Sequence, residues 1–163
     1  MPHLKKIKNK ILPLNSVKSK IIEWQKDGNK IVFTNGCFDI LHRGHVELLA
    51  QTASLGDKLI IGLNSDISIK ILKGRDRPIL DEESRAILLA ALSFVDAVIF
   101  FSEKTPINLI RALKPDILAK GGDYKIDTIV GNEIIKENGG KVVLVPFLDG
   151  FSSTYIINKI KES

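Results

Sequence analysis

Lys30-Ile31-Val32-Phe33-Thr34-Asn35, running on into Gly36-Cys37-Phe38-Asp39-Ile40-Leu41-His42-Arg43-Gly44-His45, decides the fold. The first six residues read as a buried strand, because after Lys30 apolar and β-branched side chains follow one another without a charge. A loop through residues 36–43 leads into a helix with Val46, Leu49, Ala50 and Ala53 on its apolar face, closed by Gly56. Two histidines three residues apart around a glycine therefore meet at the start of that helix. Free backbone N–H groups and the positive end of the helix dipole make such a place an anion site. Gly44 lets the backbone come close to a phosphate. Imidazoles partly protonated near neutral pH would donate to phosphate oxygens and stabilise charge during transfer.

Outward from this segment, strand and helix patterns alternate. Residues 58–63, 97–101, 117–120 and 141–146 read as four further strands. Between them, Asn64-Ser65-Asp66 is a cap-like turn and residues 70–78 read as a polar loop. Asp81 caps a helix carrying Arg85, Leu88, Leu89 and Leu92, and Thr105-Pro106 opens another that Pro115 stops. A helix is expected within residues 125–138 and a last one from about Ser152. The expectation is an α/β fold, a Rossmann-like doubly wound sheet of five parallel strands covered on both faces. Ligands of such sheets bind beyond the carboxyl ends of the strands, at the switch point. Those ends carry residues 35–45, 64–66, 120–124 and 147–154, which hold most of the unusual polar chemistry in the chain.

The 163 residues fit one domain with a sizeable core. No apolar run approaches the roughly 20 residues needed to cross a bilayer, and no secretory pattern follows the first lysines. A single cysteine, Cys37, excludes an internal disulfide and a cysteine-based zinc site. A cytoplasmic location is expected. The net charge of +5 is unevenly spread: residues 1–30 hold eight lysines against Glu23 and Asp27, leaving 16 basic and 17 acidic side chains in the remainder. The basicity belongs to a lysine-rich leader and helix, residues 1–29, and not to the domain spanning 30–163, so nucleic-acid and membrane partners are not expected. The leader to about residue 15 reads as loose, and a helix capped by Ser16 runs to about residue 27.

The His42-x-Gly44-His45 pattern resembles the signature of the nucleotidylyltransferase superfamily, and Phe38-Asp39-Ile40-Leu41-His42 its cytidylyltransferase-like branch. Gly150-Phe151-Ser152-Ser153-Thr154 fits the superfamily's second element, at the start of a late helix. Leu72-Lys73-Gly74, Arg77-Pro78 and Lys120-Gly121-Gly122-Asp123-Tyr124 recur with these in one subfamily, the heptose 1-phosphate adenylyltransferases. The likeness covers nearly the whole chain and corresponds to a stand-alone adenylyltransferase without a sugar-kinase domain. Related glycerol 3-phosphate cytidylyltransferases carry Arg-Thr-Glu-Gly before their serine-threonine pair. Here Phe147-Leu148-Asp149-Gly150 stands instead.

The resemblance implies adenylyl transfer from ATP, brought as its Mg²⁺ complex, to a sugar 1-phosphate, with release of pyrophosphate. It implies His42 and His45 as catalytic groups on the nucleotide phosphates and Lys73 as a mobile cation bridging the two substrates. Asn35, Gly36, Cys37, Phe38, Asp39 and Gly44 would line the site, Cys37 by packing and Asp39 by fixing a histidine or the metal. Gly150, Ser152, Ser153 and Thr154 would hold the leaving phosphates, and Lys120, Gly121, Asp123 and Tyr124 would read the base or the sugar. No residue is assigned as a metal ligand. Arg85 reads equally as a phosphate or subunit contact and as an exposed helix arginine. The superfamily implies a homodimer. The competing expectations are a cytidylyltransferase for a small phospho-alcohol and a non-catalytic nucleotide-binding module.

Overall fold

The computed structural model describes residues 1–122 and 124–162. Five strands form one parallel sheet: β1 (Ile31–Gly36), β2 (Lys58–Asn64), β3 (Ala97–Phe101), β4 (Ile117–Gly121) and β5 (Lys141–Val145). Their order is β3-β2-β1-β4-β5. Chain progression reverses between β1 and β4, so the crevice of a doubly wound sheet opens above that pair.

Alternation along each strand fills two cores. On one face Val32, Leu59, Ile61, Leu63, Val98 and Ala119 meet Leu48 and Leu49 of α3 (Arg43–Ala53) and Ala86 and Leu89 of α5 (Glu82–Ala90). On the other, Ile31, Phe33, Ile60, Ile99 and Leu118 meet three helices: α2 (Leu14–Lys26) through Val17 and Ile21, α6 (Ile107–Leu113) through Ile110, and α7 (Asn132–Glu137) through Ile135. Burial on both faces is why the strands read as continuous apolar runs.

The amino-terminal edge of the sheet is tied by aspartates. Asp57 accepts the N–H of Lys30 at 2.8 Å, Asp116 that of Ile31 at 2.8 Å, and Asp96 that of Leu59 at 2.9 Å. Each caps an extended backbone donor that has no ladder partner there.

Three expectations need correction. The leader is ordered: α1 (Pro2–Lys8) is followed by a short pairing with β3, in which Leu12 donates to the carbonyl of Val98 at 2.9 Å and Val98 donates to that of Lys10 at 2.8 Å. Ile7 and Ile11 pack on the core below. Residues 70–78 are not all loop, because α4 (Asp66–Lys73) is capped by Ser65, whose oxygen accepts from Ser68 N. Isoleucines at 67, 69 and 71 disguise this helix, since β-branching and alternation mimic a strand. Finally, Ser16 lies inside α2, which starts at Leu14 with Pro13 in the cap position. The helix expected within residues 125–138 is α7, preceded by a 3₁₀ turn (Ile126–Thr128). The last helix is α8 (Ser153–Lys161), with Ser152 at its cap.

Candidate active site

His42 is the N-cap residue of α3 and His45 lies in its first turn. The imidazoles stack with centroids 3.8 Å apart, and the Phe38 ring meets His45 edge-on at 5.4 Å. Nδ1 of each histidine is buried without a partner. Burial lowers the His42 imidazole from its ordinary value. For His45, burial and then the neighbouring His42 and Lys73 bring it down to about 4, with Asp39 opposing. Both shifts favour the neutral imidazole in the free protein. A polyanion brought against them reverses the local potential and favours the protonated form.

Gly44 is required for packing. A Cβ there would stand 2.8 Å from Cβ of Phe151 and 3.1 Å from Cε1 of His42, so glycine lets α8 close onto α3. Phe38, at φ 46°, takes the left-handed conformation that turns its ring under the histidines.

Asp39 gives its carboxylate to the segment that follows α4. It is 2% exposed, and its carboxylate accepts from Arg77 Nε at 2.7 Å and from the amides of Ile79 at 2.9 Å and Leu80 at 3.0 Å. Burial alone would raise its pKa; the two amides and the Arg77 guanidinium outweigh that and hold it below the usual value. Asp39 thus anchors the segment that returns from Lys73. Its backbone carbonyl accepts from the Ser153 hydroxyl.

The start of α8 faces the histidines. Ser152 Oγ accepts from Tyr155 N at 3.0 Å as the cap and keeps its own O–H to donate, whereas the Ser153 O–H is given to the Asp39 carbonyl. What this segment offers an anion is backbone N–H with the Ser152 and Thr154 hydroxyls, and Gly150 (φ 82°) makes the turn before it. A cavity of about 390 Å³ lies here, lined by His42, Gly44, His45, Lys73 and residues 147–154.

A second cavity, also about 390 Å³, opens beyond the other side of the motif, lined by Asn35, Asn64, Lys104, Thr105, Lys120 and Tyr124 among others. Lys120 donates to Asn35 Oδ1 at 3.3 Å, and burial lowers its ammonium pKa. Cys37 donates to Asn64 Oδ1 at 3.9 Å. A third hollow, reaching from Lys73 and Ser153 to Lys120 and Gly121, joins the two into one trough. Every assigned residue within the described chain thus borders the trough or supports its walls; Asp123 lies outside the described residues. Sequence reasoning placed residues 64–66 at this edge without giving Asn64 a role in the site, and it missed Lys104 and Thr105, which follow β3 and carry no motif. Among the described residues, no group of three His, Cys, Asp or Glu side chains is placed to hold a metal ion. No helix among them is long and apolar enough to cross a membrane.

Stacked histidines at a helix start, facing a second helix start across the crevice of a 3-2-1-4-5 sheet, find a match in known proteins. A family model described as cytidylyltransferase-like covers residues 33–159. The chain belongs to the cytidylyltransferase-like family. Relatives of this nucleotidyltransferase family include the bifunctional protein HldE of Pelobacter propionicus, 52% identical over 158 residues, and that of Geobacter sulfurreducens, 50% identical over 154. The matches span 96% and 94% of this chain but 31% of each relative, so the chain corresponds to about a third of those proteins. Among solved structures, a lipopolysaccharide core biosynthesis protein from Thermoplasma volcanium superposes with a TM-score of 0.61 at 35% identity, over 74% of this chain and 98% of that one. A pantoate-beta-alanine ligase from Francisella tularensis shares the fold, with a TM-score of 0.59 at 18% identity over 94% of this chain and 78% of that one.

Proposed function

We propose that the chain transfers an adenylyl group from ATP to D-glycero-β-D-manno-heptose 1-phosphate, giving ADP-heptose and pyrophosphate. The observation that carries the reading is the trough itself, which holds one anion-binding wall and one sugar-sized polar pocket either side of His45 and Lys73. Relatives about 50% identical, and the likeness to the Thermoplasma lipopolysaccharide core biosynthesis protein, favour a heptose acceptor.

A phosphate oxygen of the sugar phosphate attacks the α-phosphorus of ATP in line. The new P–O bond forms as the bond to the β,γ-pyrophosphate breaks, and the electron pair leaves with pyrophosphate. The attacking group is already an anion, so no general base is needed. Catalysis consists of positioning two polyanions and stabilising the added charge. His42 and His45 donate to the α-phosphate region, the start of α8 and Thr154 hold the leaving phosphates, and Lys73 spans the incoming and transferred phosphates as a point charge. Asn35, Lys120 and Tyr124 face the acceptor. Mg²⁺ enters with the nucleotide as part of the substrate. The reaction belongs to the cytoplasm, where ATP is made available.

Pyrophosphate release with Mg²⁺ tests this, pairing ATP or CTP with the heptose phosphate or glycerol 3-phosphate. Turnover is expected only with ATP and the heptose phosphate. Turnover with CTP and glycerol phosphate would replace the substrates, and none with any pair in folded protein would sink the transferase reading.

A further inference from the structure

Arg85 has a completely buried side chain, the bulkiest such group in the described chain, although its place in the first turn of α5 would suit an exposed residue. Its guanidinium binds the carbonyls of the trough-lining residues Cys37 and Asn64 and lines none of the trough's three hollows itself. Nη1 donates to the carbonyls of Cys37 at 2.7 Å and Asn64 at 2.9 Å, Nε to that of Leu80 at 3.0 Å, and Nη2 to the Asp66 carboxylate at 2.7 Å. These four acceptors belong to three separate segments: the loop after β1, the junction of β2 with α4, and the strap returning from α4.

Each segment delivers something to the site. Fixing the Cys37 carbonyl fixes the next peptide, where Phe38 takes its positive φ and sets its ring against His45. Fixing Asn64 and Asp66 fixes the base of α4, whose last residue is Lys73. The Leu80 peptide is gripped on both sides, its N–H by Asp39 and its C=O by Arg85, so the strap cannot drift from the motif loop. We propose that Arg85 is a positioning residue that sets the separation of the His45 and Lys73 side chains by clamping the three segments that carry them. A planar fork with fixed donor directions suits this task; a lysine supplies one flexible point charge and cannot reach all four acceptors in these directions. Burial of the cation is tolerated because Asp66 and three carbonyl dipoles compensate it.

This inference rests on the transferase reading, and the test separates the two. In Arg85→Lys, kcat should fall about 100-fold, as for a displacement of about 1 Å at the reacting groups, with KM for both substrates unchanged. A direct phosphate contact would instead raise KM for one substrate, and that result overturns the proposal. Independently of turnover, the His45 imidazole is followed by NMR titration in the wild type and the variant. Among the groups facing it, His42 and Lys73 lower its midpoint and Asp39 raises it. With Phe38 released and Lys73 displaced, its midpoint should rise from about 4 toward the ordinary histidine value. An unchanged midpoint overturns the clamp even if the reaction proves to be another one. Should Arg85→Lys fail to fold, Asp66→Asn, which weakens the clamp from its solvent side, must show the same two changes at smaller size; wild-type values there overturn it.

Discussion

The two edges of the sheet are built on opposite terms. At the amino-terminal edge, Asp57, Asp96 and Asp116 each satisfy a backbone donor, and the polar groups are consumed by structure. At the carboxyl-terminal edge, buried Nδ1 atoms of His42 and His45 have no partner, and the starts of two helices line a trough. Unmet hydrogen-bonding capacity costs stability, and the fold concentrates it where a polyanion can discharge it. The contrast teaches that one edge holds the molecule together and the other stores binding capacity.

The sharpest way to break that contrast is at His42. His42→Asn should lower kcat by about 10²–10³-fold, the usual cost of removing one donor to a developing oxyanion, while the melting temperature stays within a degree or so of wild type. A comparable loss of thermal stability would show the histidine to be structural. The mirror experiment is Asp116→Ala, which leaves the fully buried amide of Ile31 unsatisfied. It should cost about 2 kcal/mol in urea unfolding with kcat and KM preserved; lost activity in folded variant would erase the distinction between the edges. The third test is a pH dependence. His45 has a folded pKa of about 4 against an ordinary 6.5, so the unfolded chain takes up its proton first as pH falls. The stability it confers is complete above about 6.5 and is lost as pH drops towards about 4. His45→Gln should flatten the melting temperature over that window, and an unchanged slope would mean the imidazole is not buried neutral.

The sheet was legible because buried parallel strands announce themselves locally, and the His42–His45 motif because its meaning depends only on a strand before it and a helix after it. What stayed hidden depends on distant partners. Asp39 finds its acceptor role 38 to 41 residues away, and Arg85 reaches 48 residues back to Cys37. Nothing in the spacing of either residue marks those contacts. Ser152 and Ser153 were read as phosphate ligands because hydroxyls at a helix start suit anions. In the structure Ser152 also caps α8 and the Ser153 hydroxyl donates to the Asp39 carbonyl, while both residues line the cavity with Thr154. Helix α4 was missed where β-branched residues contradict its period, and the order of the leader where a lysine-rich composition outvoted two isoleucines.

That leader has a further meaning for how the protein behaves in company. β3 is an outer strand, and an outer strand with open N–H and C=O groups is a template for another chain. Lys10 and Leu12 occupy those groups on either side of Val98, with lysine-bearing α1 standing over them as a charged guard. Removal of the first dozen residues would uncover the N–H and C=O of Val98 and open that edge to pairing with another chain.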